Sequence, residues 1–361
     1  MRIRASSKLS IRRASAVLAN NVDSSVFSLV ALVLAGFAGA SFAWPMKHFR
    51  GWRWEHVWMG QALTSNVVFP LLTLGVLWPL FRDYMTAVPA ARYLTLVMMG
   101  IMWGLGGVGY GMSLVLLGLS FTYSVVFSVT AVCGALLPMW MGLRARPAQL
   151  TSFSLGLGLC VAGTIVLARA AARREQEATA TARAHVLAMP VPGLSYAASL
   201  LIALLAGVFS AGMGLALAQG EDLVNGLLKN GVSPVVAPLV VWIPVYLGSA
   251  LVGLGYGLYC AVRSRSLENF LRPHAARNWT LVNLMGILGF GAVLLYGLGA
   301  SVRGHPPKNL AWAIYMTSFI LSGNSIGLVT GEWANSSRRT HIELFSGIGL
   351  LLAAIGFLAR A

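Results

Sequence analysis

Charged side chains are scarce in this sequence. They make up 10% of the 361 residues, and hydrophobic residues make up 57%, whereas soluble domains carry about 25% charged residues. A chain this apolar cannot cover a water-facing surface. It contains repeated apolar runs of about 20 residues, a length that crosses roughly 30 Å of hydrocarbon as a helix. Because lipid offers no partners for backbone polar groups, such runs favour helix. We predict an all-α integral membrane protein.

Cysteine, histidine and acidic residues are missing where intramembrane chemistry would need them. The three cysteines form no CxxC pair and no Cys/His ligand spacing, which argues against a disulfide framework and a metal site. No histidine or carboxylate falls at the centre of an apolar run, and the sequence contains no G-x-x-x-x-G-K-[ST] phosphate loop. The sequence therefore predicts no metal, no cofactor and no enzymatic activity.

Basic residues are numerous but dispersed. The formal net charge is +16, yet the 26 lysines and arginines stand in short clusters between the apolar runs. This pattern is typical of anchoring at lipid headgroups, so we predict a bilayer and no nucleic acid as partner. Residues 1–25 form a basic polar tail. With this tail included, the basic residues divide evenly between the two membrane faces, so they do not fix the orientation.

The apolar runs predict ten spans. A polar linker at 171–195 separates a first five-helix repeat at 26–170 from a second at 196–361. The individual spans are predicted near 26–45, 56–80, 92–117, 119–142, 151–170, 196–218, 234–262, 279–302, 309–331 and 342–360.

Three short patterns of the first half recur in the same order in the second half, at offsets of 171, 186 and 191 residues. They are Leu34-Ala-Gly36 and Leu205-Ala-Gly207, Met99-Gly-Ile101 and Met285-Gly-Ile287, and Gly156-Leu-Gly158 and Gly347-Ile-Gly349. Because each half holds an odd number of spans, the second half enters the membrane upside down. The sequence thus predicts two inverted five-helix repeats, a frequent architecture of secondary transporters with the substrate near the midplane.

Polar and aromatic residues within the spans suggest a site for a small polar solute. Tyr110 and Tyr296 occupy equivalent repeat positions, and a pseudo-two-fold axis would bring such a pair near the midplane. The predicted substrate-binding residues are Asn66, Trp103, Tyr110, Tyr123, Tyr296, Tyr315 and Asn324. Interhelical bridging explains each asparagine about as well as ligand binding does.

Two further expectations concern the side chains that face lipid or its surface. An asparagine within a span is costly against lipid, so Asn66, Asn283 and Asn324 are expected to face the bundle interior. The four tryptophans at the edges of the first two spans are interpreted as interfacial anchors: Trp44, Trp52, Trp54 and Trp58.

Ion coupling would require a titratable group, and the candidates lie at span ends. Glu332, which directly precedes Trp333, is the first candidate and Glu55 is the second. The alternative for each is an interfacial anchor or an ion pair, such as one between Glu332 and Arg338. In that case the protein would be an uncoupled facilitator.

Several stretches resemble the L-rhamnose–proton symporter family of the drug/metabolite transporter superfamily. They extend from the first span to the carboxyl end and comprise Ala43-Trp-Pro-Met-Lys47, Trp52-Arg-Trp-Glu55, Gly100-Ile-Met-Trp-Gly-Leu-Gly106, Gly207-Val-Phe-Ser-Ala-Gly-Met213, Gly327-Leu-Val329, Glu332-Trp333 and Arg338-Arg339. The resemblance implies ten spans in two halves, an inner-membrane location and proton-driven uptake of a deoxysugar.

We therefore expect a secondary active transporter of a monosaccharide, L-rhamnose or a related sugar, with protons as the coupled ion. Two alternatives stay open. One is an exporter or facilitator of another small metabolite, and the other is a non-transporting membrane enzyme or sensor. The sequence makes no prediction of the oligomeric state.

Overall fold

The structure is a computed structural model, and it describes residues 24–142, 149–177, 194–271, 273–300, 308–331 and 333–358. Ten helices in this part of the chain are long and apolar enough to cross a membrane, which confirms the predicted number. In chain order they are α1 (Ser24–Ser41), α2 (Trp54–Met85), α3 (Ala90–Leu116), α4 (Leu119–Trp140), α5 (Leu150–Glu177), α6 (Tyr196–Lys229), α7 (Leu239–Arg263), α8 (Ala275–Gly299), α9 (Lys308–Val329) and α10 (Arg338–Leu358).

Two of these helices are interrupted. In α2 a π-helical turn, Thr64–Val68, joins the α-helical segments Trp54–Leu63 and Phe69–Met85. In α6 the segments are Tyr196–Ser210, Gly212–Gln219 and Glu221–Lys229. Short 3₁₀ helices, Trp44–His48 and Leu267–Leu271, follow α1 and α7.

The predicted boundaries differ from the structure most at the ends of α6 and α5. Helix α6, predicted to end near residue 218, continues to Lys229. Helix α5 continues to Glu177, so the first seven residues of the linker predicted at 171–195 are helical. The alanine content of this stretch permits helix beyond the membrane. Most of the linker and residues 1–23 of the predicted basic tail lie outside the described residues.

Helices α5 and α10 pack against each other along their length, and polar contacts join their ends. Glu177 at the end of α5 accepts hydrogen bonds from the backbone N–H and the hydroxyl of Ser337, at 2.8 and 2.7 Å, just before α10 begins. Arg173 forms an ion pair with Glu343 at 2.6 Å. A carboxylate at a helix N-terminus is favourable because the first N–H groups of a helix lack intrahelical partners.

The repeated sequence patterns make matching contacts in the two halves. A Cβ at Gly156 of α5 would overlap Leu358 of α10, and a Cβ at Gly347 of α10 would overlap Leu167 of α5. The two pairs are equivalent, because 347 − 156 and 358 − 167 both equal 191. Such reciprocal contacts are what a two-fold relation between the halves would produce. The inversion itself stays a prediction.

The same reciprocity holds for the first repeated pattern. Gly36 of α1 lies against Ser318 of α9, while Gly207 of α6 lies against Val129 of α4. In chain order α1 corresponds to α6, and α4 corresponds to α9. The contact between α1 and α9 is therefore equivalent to the contact between α6 and α4. In each case the absence of a Cβ permits close approach of two helices.

Candidate functional site

A cavity lies near the middle of the helix bundle. It encloses about 120 Å³, about ten times the volume that one water molecule needs on the same measure. Eight helices or the residues directly after them contribute to its wall, and α5 and α10 do not. The wall is largely aromatic and aliphatic, and none of the described residues that line it is charged. The cavity is suited to a neutral molecule of about ten non-hydrogen atoms.

Four of the seven predicted substrate-binding residues line this cavity. They come from three different helices, α2, α3 and α9: Asn66, Trp103, Tyr110 and Tyr315. The cavity therefore draws polar and aromatic groups from both halves of the chain.

The other three predicted residues lie behind the wall. The hydroxyl of Tyr123 donates to the carbonyl oxygen of Ala40. The side-chain amide of Asn324 donates to the Ser124 hydroxyl at 3.3 Å and to the Ile320 carbonyl at 3.0 Å. Tyr123 and Asn324 thus bridge and brace helices, the alternative role that the sequence left open for the asparagine.

Tyr296 belongs to an aromatic layer beside the cavity. Its ring contacts Trp242 and Tyr315, with centroid distances of 6.0 and 5.1 Å. A second layer contains Trp58, Tyr110 and Tyr123. Trp58 lies 6.3 Å and Tyr123 5.9 Å from Tyr110, so the helices that meet in this layer, α2, α3 and α4, correspond in chain order to α7, α8 and α9 of the first layer. Aromatic layers from corresponding helices of the two halves therefore lie at the cavity.

The polar part of the cavity is centred on the π-helical turn of α2. Gln61, Ser65 and Asn66 of this helix all line the cavity. A π-helical turn is wider than an α-helical one, and such turns occur frequently at functional sites. Here Ser65 and Asn66 both lie within this turn and both contribute to the wall.

One of the two polar atoms of the Asn66 side chain is hydrogen-bonded, and the other is not bonded to any described residue. Its amide nitrogen donates to the Ser249 hydroxyl of α7 at 3.3 Å. Its oxygen is buried and has no hydrogen-bond partner among the described residues. Buried polar atoms are nearly always paired in folded proteins. The Asn66 oxygen is thus an acceptor available to a hydroxyl group of a bound molecule.

The interpretation of the edge tryptophans as interfacial anchors is wrong for three of the four. Trp52, Trp54 and Trp58 are buried, and Trp44 is 40% exposed. The Trp54 indole nitrogen donates to the Gly111 carbonyl at 2.9 Å, and its ring stacks on Trp58. Position near a span end does not distinguish a lipid-facing indole from one that packs between helices.

The expectation for Asn283 is also wrong. This side chain is exposed and donates to the carbonyl of Trp279, four residues earlier, at 2.8 Å. It lies only eight residues from the beginning of α8, about 12 Å along the axis. An asparagine that bonds its own helix near a membrane surface has little cost. Asn66 and Asn324 are buried as expected.

Sequence reasoning also missed wall residues. Gln61 and Ser65 precede Asn66 at helical spacing, which is a signal that could have identified them. Trp58, Tyr246 and Ser249 become part of the wall through the packing of α2 on α7, α3 and α8, and nothing in their local sequence indicates this.

The two predicted coupling residues have different outcomes. Glu332 lies outside the described residues. Glu55, in the first turn of α2, has a completely buried side chain. It forms an ion pair with Arg53 at 2.8 Å. The sequence thus located a carboxylate at a span end, and the fold encloses it.

Ten apolar helices around an uncharged central cavity, with matching contacts in two halves, are typical of secondary transporters of small solutes. The model of the L-rhamnose-proton symport protein (RhaT) family matches residues 21–359. The chain belongs to this family, which consists of transporters and not enzymes.

Curated relatives agree with the family assignment. The chain is 26% identical over 336 residues to the L-rhamnose-proton symporter of Klebsiella pneumoniae, covering 89% of this chain and 94% of that one. It is equally similar to the L-rhamnose-proton symporter of an Enterobacter species, with the same coverage. The corresponding protein of Cronobacter sakazakii is 25% identical over 334 residues, covering 89% and 93% of the two chains. The relatives are bacterial, so the chain is a multi-pass protein of the inner membrane.

Proposed function

We propose that this protein is a secondary active transporter that takes up L-rhamnose, or a closely related sugar, together with protons. The family and the names of the relatives support this activity. The observation that supports it most directly is the uncharged cavity with an unpaired asparagine oxygen in its wall.

The composition of the wall suits a deoxysugar. Hydroxyl groups require hydrogen-bond partners when they leave water, and Gln61, Ser65, Asn66 and Ser249 of the wall supply them. The methyl group and the flat faces of the ring require apolar surface, which Phe127 and other aromatic and aliphatic residues of the wall supply. A charged substrate would lack a counter-ion in this wall.

Alternating access would follow from the two halves. We propose that they are inverted repeats and that the two aromatic layers at the cavity open in turn. The reciprocal contacts of Gly156 and Gly347 support this relation. An experimental structure in which the halves superpose about the membrane normal, or do not superpose, would contradict it.

Uptake by proteoliposomes tests the proposed function. Radiolabelled L-rhamnose should accumulate above its external concentration when the lumen is more alkaline than the medium, and excess unlabelled L-rhamnose should suppress the signal. Equilibration without accumulation would support the alternative of a facilitator. Accumulation with the opposite gradient would support an exporter driven by proton antiport.

A further inference from the structure

Glu55 is the one completely buried carboxylate among the residues whose side chains the structure describes. It belongs to the first turn of α2, and the end of α7 covers it. Its Oε1 atom lies 2.8 Å from Arg53 Nε. The same atom accepts hydrogen bonds from the hydroxyls of Ser264 at 3.1 Å and Ser266 at 3.3 Å.

The two carboxylate oxygens of Glu55 differ in their hydrogen bonding. Two hydroxyl donors and the charged Arg53 side chain converge on Oε1, whereas Oε2 is buried without a hydrogen-bond partner in the described part of the chain. A buried charge is costly unless it is paired and its remaining lone pairs are bonded. In Glu55 the Oε1 atom is paired and bonded, whereas the lone pairs of Oε2 have no donor among the described residues. A proton on Oε2 would remove the charge at the atom that lacks a donor.

Both serines have alternative acceptors when the carboxylate becomes neutral. The Ser264 hydroxyl lies 2.8 Å from the Cys260 carbonyl oxygen, and the Ser266 hydroxyl lies 3.5 Å from the Ala261 carbonyl oxygen. Each hydroxyl has one proton to donate, so its bond to Glu55 competes with its bond to the backbone. Protonation of Glu55 would therefore release α7 from α2 without leaving the serine donors unpaired.

Other titratable and charged groups surround this cluster. His56 Nδ1 accepts from the backbone N–H of Arg53 at 3.1 Å, and His56 Nε2 lies 2.7 Å from the Ser266 carbonyl, to which it donates. Both ring nitrogens are thus engaged. Helix α7 contributes Tyr256, Cys260 and Arg263 to the surroundings, and Glu268 on the following 3₁₀ helix is exposed. Glu55 remains the group without a full set of partners.

A continuous seam between α2 and α7 joins Glu55 to the cavity. Along it, residues pair at helical spacing: Glu55 with Ser264, Met59 with Gly257, Ala62 with Gly253, and Asn66 with Ser249. Asn66 lies 11 positions after Glu55, which corresponds to about 16 Å of helix. The glycines allow close contact, so a separation of the helices at one end would strain the Asn66–Ser249 bond.

We propose that Glu55 is the proton-binding residue of the symporter and that its contacts with Ser264 and Ser266 hold the α2–α7 seam closed. One proton binds to Oε2, the seam loosens at that face, and the same proton leaves after the sugar has crossed. The inference rests on the proposed function, because it assigns the coupling step of that transport cycle.

Glu55→Gln tests the assignment, because an amide cannot exchange a proton. In proteoliposomes, the variant should lose pH-gradient-driven accumulation of L-rhamnose, with the ratio of internal to external sugar falling to about one. Exchange of internal and external sugar should persist but lose its dependence on pH. Asp83→Asn, which neutralises an exposed carboxylate at the other end of α2, is the matched control and should behave like the wild type.

Alkylation of two native cysteines tests the proposal independently of transport. Cys260 reports on the seam, and Cys160 is the control for folding. Cys260 lies beside Glu55, and Cys160 is buried between α5 and α9. At one fixed pH, Glu55→Gln should increase the rate of Cys260 alkylation by a maleimide several-fold while Cys160 stays protected. Reactive Cys160 would mean that the variant has unfolded. In that event the double variant Ser264→Ala/Ser266→Ala replaces it and should shift the pH midpoint of exchange upward.

The outcomes separate the two proposals. If the wild type does not accumulate L-rhamnose, the proposed function fails whatever Glu55 does. If the wild type accumulates the sugar and Glu55→Gln does so equally under a pH gradient, the assignment of Glu55 is overturned. Loss of both exchange and accumulation with Cys160 still protected would also overturn it, because Glu55 would then be required for more than the proton.

Discussion

Replacing Asn66 by leucine should weaken sugar binding without destabilising the empty transporter. Leucine has nearly the same shape as asparagine and removes both polar atoms. In the structure the Asn66 oxygen is buried without a partner among the described residues, and the amide makes one bond of 3.3 Å to Ser249. The loss of that weak bond is offset by removal of an unsatisfied acceptor, so the free energy of unfolding should stay within about 1 kcal/mol.

The effect on binding should be larger. A sugar hydroxyl that loses its acceptor in an enclosed cavity is left unpaired, which costs about 1–3 kcal/mol. At 1.4 kcal/mol for each factor of ten, the dissociation constant should rise about 5- to 150-fold. Analogues of the sugar that each lack one hydroxyl group test which hydroxyl Asn66 binds. The analogue that lacks the hydroxyl bound by Asn66 should bind the wild type and the variant with nearly equal affinity.

Titration of tryptophan fluorescence in detergent measures the affinity, because Trp58 and Trp103 line the cavity. Thermal unfolding of the same samples measures stability. Asn283→Leu is the matched control, since this asparagine is exposed and bonds only its own helix among the described residues. Unchanged affinity in Asn66→Leu would show that the Asn66 oxygen does not bind substrate. A large loss of stability would show that the side chain is needed by the fold itself.

Three further predictions concern packing and capping. Gly347→Val should lower the unfolding temperature, because its Cβ would overlap a leucine of α5 and overpacking costs about 1–3 kcal/mol; Gly349→Ala, with open space around it, should not. Tyr123→Phe should lower stability by about 1–3 kcal/mol by leaving a buried carbonyl unpaired, and a change in sugar affinity instead would contradict its position behind the wall. Hydrogen bonds from the side chain and backbone N–H of Ser337 hold the pKa of Glu177 below its usual range. Since a depressed pKa stabilises the fold above the unfolded-state pKa, the difference in unfolding temperature between wild type and Glu177→Gln should be present at pH 7 and disappear as the pH falls below about 4.

The sequence by itself determined the class of the protein and its helices. Ten apolar runs separated by short polar connections leave one solution in lipid, because every backbone polar group must be paired within its own segment. Two of the three repeated patterns also identified contacts that recur in both halves, since a glycine at an equivalent position meets a residue of an equivalent helix. These are local properties of the chain, and a linear sequence carries them.

Only the tertiary structure decided which side chains meet. Tyr110 and Tyr123 are both tyrosines within spans, yet one lines the cavity and the other reaches a carbonyl of α1. Trp58 and Trp44 are both near span ends, yet one is buried beside the cavity and the other is exposed. From the sequence Glu55 could be an anchor at a membrane surface, whereas in the structure the end of α7 covers it. The helical period gives the direction of a side chain on its own helix. Its partner depends on the rotation and offset of another helix, which can lie more than 200 residues away, as Ser264 does from Glu55, and only packing fixes these.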